Sequence, residues 1–405
     1  MPVRAYIPWT TFGLLAIGSL AVSALPGTSD VNVWYGWVKQ LDLHGLRTGY
    51  NLGAGHIVHP PLGLLLLWLS HHAALLVGLP VHTWPEVGHT GFGVATWLGL
   101  LVSALLVIRL TGRVWWGVLF QGAFLLNAVV YGYFDVWGFP FLLLALHAMA
   151  QGREGAGLAW AVTASLVKWQ FFILLPFFFL YALRRAPQEL RHHTLWRVVP
   201  ALVVLTLTLA LFGPGTWLAF TRGLQSAVLS GQALNFGWLI TWAMHLRWPE
   251  SYGPLDDGLI AVIRTRDTRV LLVVRSLFAL GYGLALWRLW RTPRNPNNLY
   301  RYMLAGYLAF FLLNKGAHEN HLAPAVIVAG YLAWRLPRWR AHALLVAVVL
   351  NANMLAFYDL LGQHRWEARR VAGIDYSLPL ALMATVAVGM ALYTLLRRDP
   401  PETPT

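Results

Sequence analysis

The sequence predicts an all-α protein that crosses a membrane many times, and three observations lead to this fold class. Hydrophobic residues make up 58% of the 405 residues and charged residues only 11%, against about 25% charged residues in a soluble domain. Apolar stretches long enough to cross a bilayer recur along the whole chain. Arginines concentrate between these stretches, in alternate loops. We therefore expect a single bundle of about 12 transmembrane helices over residues 1–398, with a disordered tail at 399–405.

The first span is predicted near residues 7–25, because this apolar run follows Arg4 and no small-residue cleavage site comes after it. The stretch 156–183 is too long for one straight span and has Lys168 and Gln170 at its middle, so we divide it into two short helices. The other predicted spans lie near 90–110, 115–131, 136–150, 197–213, 270–290, 299–314, 321–335, 341–359 and 377–396.

Residues 61–79 are predicted to form a helix in the outer interface rather than a span. Two prolines open this run, and His71 and His72 interrupt its centre. With this assignment every short cytoplasmic loop carries arginine, as the positive-inside rule requires. Both termini are then cytoplasmic, and long external loops lie at 26–90, which holds interfacial helices, and at 214–268. The arginines expected inside are Arg4, Arg109, Arg113, Arg153, Arg184, Arg185, Arg191, Arg197, Arg288, Arg291, Arg294, Arg301, Arg335, Arg338, Arg340, Arg397 and Arg398.

The basic character of the chain follows from this topology. The formal net charge is +14, from 30 Lys and Arg against 16 Asp and Glu. No basic helix or aromatic-interleaved patch indicates nucleic-acid binding, so we interpret the charge as attraction to anionic lipid headgroups. Cysteine is absent, which excludes disulfides, thiolate metal sites and cysteine nucleophiles. Lysine occurs only at positions 39, 168 and 315, and the last two fall in segments described next.

Four predicted external segments carry ionisable residues close to the membrane, where such residues are costly and are therefore functional candidates. The first is the loop after the first span, which contains Asp30, Trp34, Tyr35 and His59. Asp30 either caps a helix or acts as a general base at the outer membrane surface.

The second and third segments are short turns. In the turn 131–135, Asp135 either caps the next helix or contacts a ligand. In the turn that contains Lys168 and Gln170, the lysine breaks the positive-inside pattern. Lys168 either extends to the lipid headgroups or pairs with an anionic ligand or with a carboxylate such as Asp135.

The fourth segment, 314–321, is the densest polar stretch near the membrane and contains Lys315, His318, Glu319 and His321. A plain solvated turn rarely needs this mixture. The two histidines are three residues apart, but the metalloprotease pattern His-Glu-x-x-His is absent, so we predict no metal site. All four segments lie on one side under a single orientation, which predicts one polar site at the outer face.

These four segments, in this order, resemble the GT-C fold of membrane glycosyltransferases. They are most similar to the dolichyl-phosphate-glucose oligosaccharide glucosyltransferases and their bacterial relatives, over roughly residues 25–185 and 310–330. In that family an acidic residue opens the first external loop, followed by aromatic residues and a Tyr-Pro-Pro-Leu motif. Asp30, Trp34 and residues 59–62 (His-Pro-Pro-Leu) match this pattern, with histidine in place of tyrosine.

Three later motifs of the family have counterparts as well. A Gly-x-Phe-type turn is matched by residues 131–135. A Lys-Gln pair before a Pro-aromatic run is matched by Lys168 and Gln170 before residues 176–178. A late His-Glu-Lys motif is matched by residues 318–320, where asparagine replaces the lysine.

The resemblance implies an inverting glycosyltransferase at the external face of the cell (inner) membrane. It would move a hexose from a polyprenyl-phosphate-linked donor to a lipid-linked glycan, a glycolipid or a polysaccharide. Asp30 would be the catalytic base, and Lys315, His318 and Lys168 would bind the donor phosphate. No cofactor is expected, because cations can stabilise a single departing phosphate. The residues expected to bind or orient substrate are Asp135, Glu319, His321, Gln170, His59, Tyr35 and Trp34.

Two other function classes stay open. A transporter or lipid flippase fits twelve spans, although the charges outside the cytoplasmic loops cluster at the surface rather than at mid-depth. A polysaccharide polymerase or ligase of related fold would use a diphosphate-linked donor, which the pair Arg369 and Arg370 would bind. The residues of the loop 214–268 that suit carbohydrate contact are Gln225, Gln232, Asn235 and Trp238.

Overall fold

The computed structural model describes residues 6–52, 57–79, 90–184, 195–225, 228–265, 267–365 and 369–397. The described chain is helical apart from two short β-ladders, so the all-α prediction is confirmed. The first nine helices are α1 (Tyr6–Val22), α2 (Asp30–His44), α3 (Leu46–Leu52), α4 (Pro61–Leu76), α5 (Thr90–Thr111), α6 (Val114–Phe124), α7 (Phe139–Ala150), α8 (Glu154–Val167) and α9 (Leu175–Leu183). They are followed by α10 (Val199–Phe212), α11 (Gly215–Leu224), α12 (Phe236–Arg247), α13 (Pro249–Tyr252), α14 (Thr268–Arg291), α15 (Pro296–Leu313), α16 (Ala323–Arg335), α17 (Arg340–Phe357) and α18 (Ser377–Leu396).

Some of the predicted spans are full-length apolar helices. Within the described ranges, four helices are long and apolar enough to cross a membrane: Gly91–Thr111, Thr268–Arg291, Pro337–Phe357 and Ser377–Leu396. Helices α10 and α11 meet the same criteria only as a pair, and they are bent by 106° at their junction. The remaining apolar helices are shorter, so membrane association is supported and the number of twelve spans stays a prediction.

Several helices are interrupted where the polar segments occur. The predicted division of 156–183 is confirmed, because α8 ends at Val167 and a 3₁₀ segment, Trp169–Leu174, precedes α9. Helix α6 continues as a π-helical segment, Leu125–Val130, and a second 3₁₀ segment, Phe134–Gly138, leads into α7. Such irregular turns release backbone groups from the α-helical pattern and are frequent at functional sites.

Helix α15 lies at the centre of the bundle. Every residue from Leu299 to Leu312 is buried. Its neighbour α14 is the opposite case, since only 11% of its apolar window is buried inside the protein. A helix that is apolar all round and largely uncovered by protein is suited to contact lipid.

The two ends of the helix bundle differ in the charged residues they carry. At one end lie Arg109, Arg184, Arg291 and Arg335, each within or next to the last turn of its helix. This arginine end is fastened by Glu154, which lies 2.7 Å from Arg294 and 3.6 Å from Arg197. The turns before α7, after α8 and between α15 and α16 meet at the other end, where Lys168 and Asn320 both contact Asp135.

Candidate functional site

An ion pair between two predicted site residues lies at the end of the bundle opposite the arginines. Lys168 Nζ is 2.6 Å from Asp135 Oδ1, and Asn320 Nδ2 donates to Asp135 Oδ2 at 2.9 Å. Asp135 is fully buried and the Lys168 side chain is 17% exposed. An unpaired carboxylate at this depth would be strongly destabilising. The pairing of Lys168 with Asp135 therefore joins the turn 131–135 to the end of α8, and the hydrogen bond from Asn320 joins it to the loop after α15.

A second buried carboxylate, Glu319, lies beside this pair. The Tyr133 hydroxyl donates to Glu319 Oε1, and His318 Nδ1 is 3.9 Å from Oε2. Burial raises the pKa of Glu319 to about 7; the hydrogen bond from Tyr133 and the charge of Lys168 oppose the rise, while the charge of Asp30 adds to it. Glu319 therefore changes its protonation state near neutral pH.

Asp30 faces the same group of residues from the first long loop. It is the first residue of α2, its side chain is exposed, and the preceding Ser29 makes no side-chain cap hydrogen bond. The charge of Asp30 acts on Tyr133, His318 and Glu319, so the carboxylate is within electrostatic range of all three. The residues that meet here, which we call the polar cluster, are Asp30, Tyr133, Asp135, Lys168, His318, Glu319 and Asn320.

The second long loop holds His318 in place. Its strand β1 (Ser230–Gly231) pairs in parallel with β2 (Ala317–His318). A Cβ atom on Gly231 would lie 2.3 Å from His318 Nδ1, so only glycine lets the imidazole pack here. Asn353 of α17 donates to the Glu319 carbonyl oxygen at 2.6 Å and thereby fixes the other side of this turn.

Crowding by the surrounding protein lowers the pKa of His318, while the Asp30 carboxylate opposes this and Lys168 adds to it. The imidazole nevertheless keeps 44% of its side-chain surface exposed, so a ligand can reach it. A neutral imidazole in this position can donate one N–H to an anionic group.

The loop between the last two helices contributes residues that the sequence did not single out. The Tyr358 ring packs against Tyr131 at 5.6 Å between ring centroids and against His364 at 4.6 Å, in both cases at a tilt. A Cβ on Gly362 would lie 2.1 Å from the Gly27 carbonyl oxygen, three residues before Asp30. The last loop therefore packs directly on the segment that positions Asp30. The sequence gives one indication of this role, which is that Tyr358 is an aromatic residue at the end of the predicted span 341–359.

Two predicted substrate residues lie beneath the cluster with unused polar atoms. His59 and Gln170 are each 6% exposed, and His59 Nε2 and both Gln170 amide atoms have no hydrogen-bond partner among the described residues. Burial lowers the pKa of His59, and the charge of Lys168 lowers it further. Buried polar atoms of this kind are costly unless a water molecule or a ligand hydroxyl bonds them.

Four other predicted residues lie further from the centre. Trp34 is buried against Phe134. The Tyr35 ring lies 5.7 Å from His71. Both side chains therefore contribute to the packing of α2, and their contact with substrate stays a prediction.

The remaining two belong to the loop after α15. The His321 ring lies 5.0 Å from His318 and stacks on Phe310, and burial lowers its pKa. Burial also lowers the pKa of Lys315, and the further cause is Arg275 of α14. Lys315 is therefore within electrostatic range of Arg275 on α14, whereas the His321 ring lies beside His318 of the polar cluster.

Two predictions about the loop 214–268 are wrong. Asn235 caps α12 and donates to the Phe311 carbonyl oxygen at 2.8 Å. Trp238 is fully buried and donates to Ser377 Oγ at 2.9 Å. Both side chains hold the loop against the bundle and are not available to a carbohydrate, because a polar or aromatic residue in a loop also serves as an anchor.

The arginine pair considered for a diphosphate does not form one site. Arg369 is 1% exposed, lies 3.5 Å from Asp375 and donates to the Ile260 carbonyl oxygen. Arg370 pairs instead with the exposed carboxylate of Asp257. The two guanidinium groups are therefore committed to different partners, which removes the observation behind a diphosphate-linked donor.

Comparison with known proteins identifies no relative that would indicate a function. No protein-family model matches the chain, and a search of the curated proteins finds no match. Among the described residues, no group of three His, Asp or Glu side chains is arranged to hold a metal ion. The polar cluster is thus interpreted through its own charges, distances and exposure.

Proposed function

We propose that the protein is an inverting glycosyltransferase that moves a hexose from a polyprenyl-phosphate donor to the hydroxyl group of an acceptor. The observation that carries this proposal is the grouping of an exposed carboxylate, Asp30, with a partly exposed imidazole, His318, and a largely enclosed ammonium, Lys168. A base and two groups able to stabilise a departing phosphate thus share one cluster.

Asp30 takes the role of general base. Its carboxylate is exposed at the start of α2. It removes the proton of the acceptor hydroxyl as the oxygen attacks the anomeric carbon. A new C–O bond forms on one face of the sugar while the bond to the phosphate oxygen breaks on the other, which inverts the configuration.

The departing lipid phosphate gains negative charge and needs a donor or a cation nearby. His318 is the accessible group, since 44% of its side chain is exposed, and the Glu319 carboxyl group lies 3.9 Å from its Nδ1 atom. Lys168 is more enclosed and already paired with Asp135, so it acts through its field rather than by leaving its partner. The unused amide of Gln170 and the Nε2 atom of His59 are suited to hold sugar hydroxyls.

The membrane character of the chain supports a lipid-linked donor. The described chain contains apolar helices of spanning length, and the arginines lie at the end of the bundle opposite the cluster. By the positive-inside rule the arginine end is cytoplasmic and the cluster is external, where a sugar carried on a lipid can arrive without a nucleotide.

The decisive experiment uses purified full-length protein, a series of polyprenyl-phosphate sugars and an acceptor mixture, with release of lipid phosphate as the readout. Asp30→Asn is expected to reduce the rate by about 10²–10⁴-fold, the usual contribution of a general base. The matched control is Asp42→Asn on the same helix, whose carboxylate bonds Trp68 and His72 outside the cluster and whose loss should leave transfer intact. Folded Asp30→Asn protein with full transfer would falsify the base assignment.

A further inference from the structure

A groove at the arginine end of the bundle has no role in the proposed reaction. It has a volume of about 790 Å³ and lies between α1, α5, α6, α7, α16 and α17. Its size falls within the roughly 300–1,000 Å³ of typical ligand pockets. The residues that line it are almost entirely apolar, and the one charged group among them is Arg340 at the start of α17.

Small residues keep this groove open. Gly122 on α6 and Gly330 on α16 both line it, and a Cβ added to either would meet no atom within 4 Å. Ala123, Ala343 and Ala347 continue the lining on α6 and α17. The space is therefore a property of the sequence on facing helices, and larger side chains would fit into it.

The charge around the groove selects what occupies it. Arg340 is exposed at its mouth, and the exposed Arg109 and Arg113 lie beside the lining residues Thr111 and Trp116. The sequences of the six surrounding helices contain no aspartate or glutamate. An apolar slot with an exclusively basic mouth complements an acyl chain that ends in an anionic headgroup, and basic pockets between helices bind such lipids.

The polyprenyl donor of the proposed reaction does not fit this location. Along α17 the lining runs from Arg340 to Ala347, about 10 Å at 1.5 Å per residue, and on α16 it reaches Val326 in the first turn. Tyr358, next to the polar cluster, lies a further eleven residues along the chain, about 16 Å away. A donor whose phosphate lay at Arg340 would hold its sugar at the wrong end of the bundle.

We propose that this groove binds one anionic glycerophospholipid, with an acyl chain between α6, α16 and α17 and the phosphate at Arg340. Apolar burial alone gives no preference, because the chain leaves an equally apolar bilayer. Selectivity therefore comes from the guanidinium, which matches a phosphate with two parallel hydrogen bonds. The bound lipid fills the space between α6 and α17 and completes their packing.

The test is native mass spectrometry of the full chain in detergent, with palmitoyl-oleoyl phosphatidylglycerol or phosphatidylcholine added. We expect one retained phosphatidylglycerol per chain and a preference over phosphatidylcholine of about fivefold or more, the effect of one arginine near a phosphate. Arg340→Ala should abolish the preference. Arg291→Ala removes an equally exposed arginine at the end of α14, outside the groove, and should preserve it.

A second pair of variants tests the acyl-chain position. A Cβ added at Gly330 meets no atom within 4 Å, so Gly330→Leu should place its side chain in the groove and release the lipid. Gly283→Leu, where an added Cβ is also in open space but on α14, should retain it. Equal retention of the two phospholipids, a preference for added undecaprenyl phosphate, or full retention in Gly330→Leu would each overturn the proposal. None of these readouts depends on sugar transfer, so failure here leaves the proposed function untouched.

Discussion

At the scale of single residues, burial decides what each charged group of the polar cluster can do. The ion pair between Lys168 and Asp135 is largely enclosed by protein. Separating the two groups would leave a buried charge without a partner, which costs much free energy. Asp30 is exposed and available to a substrate. Glu319 is buried beside a hydroxyl and an imidazole rather than beside a full positive charge. Its carboxyl group is therefore the member of the cluster that changes its protonation state near neutral pH.

Glu319 should make the stability of the fold depend on pH in a definite direction. Its pKa is raised from 4.5 to about 7 by burial, so the folded protein binds this proton over a range where the unfolded chain has lost it. Stability should therefore fall as pH rises from about 4.5 to about 7 and stay level above, by up to about 3 kcal/mol. Glu319→Gln should flatten this dependence in thermal unfolding measured between pH 5 and pH 8. Glu250→Gln, at an exposed position of α13, is the control and should keep the wild-type slope. Identical slopes for wild type and Glu319→Gln would contradict the buried titration.

The sequence predicted the charged members of this cluster and not the neutral ones. Lys168, Asp135 and Glu319 stood out because a charge in a short turn between apolar runs is costly and therefore rare. Tyr133 and Tyr358 did not, since the chain contains 15 tyrosines and 21 tryptophans and their pattern distinguishes none of them. Partners of neutral groups arise from tertiary packing, which no local pattern encodes.

At the scale of elements, the site depends on helices that stop early. The π segment after α6, the two 3₁₀ segments and the ladder of β1 with β2 bring turns distant in sequence to one place. Hydropathy predicted where the apolar runs lie, including the break inside 156–183. It did not predict the ladder, because a two-residue pairing is set by its partner and carries no periodicity of its own.

The ladder provides a test of positioning. Gly231→Ala introduces a Cβ that would lie 2.3 Å from His318 Nδ1, so the imidazole must shift. A displacement of about 1 Å in a catalytic group costs about 10²-fold in rate. We expect that loss in transfer from a polyprenyl-phosphate sugar, with little change in expression or melting temperature. The comparison variant is Gly283→Ala, where a methyl group meets open space. Unchanged transfer by Gly231→Ala would show that the position of His318 does not limit the reaction.

At the scale of the whole molecule, the separation of arginines from the polar cluster predicts the orientation in the membrane. The chain has no cysteine, so single cysteines report position without background. Ser251→Cys, exposed on α13 near the cluster end, should react with a membrane-impermeant maleimide on intact cells. Gln151→Cys, exposed between α7 and α8 at the arginine end, should react only after permeabilisation. Labelling in the reverse order would invert the topology and place the proposed reaction inside the cell.

The scarcity of lysine gives the Lys168–Asp135 pair a practical consequence. Of the three lysines, Lys39 is exposed on α2, Lys315 is half-buried, and Lys168 is enclosed by its carboxylate partner. A bulky acylating reagent should therefore modify Lys39 first and leave Lys168 untouched while the fold is intact. The rate at which Lys168 is acylated then reports how often the cluster opens. It is measured from peptide masses and requires neither a substrate nor a substitution.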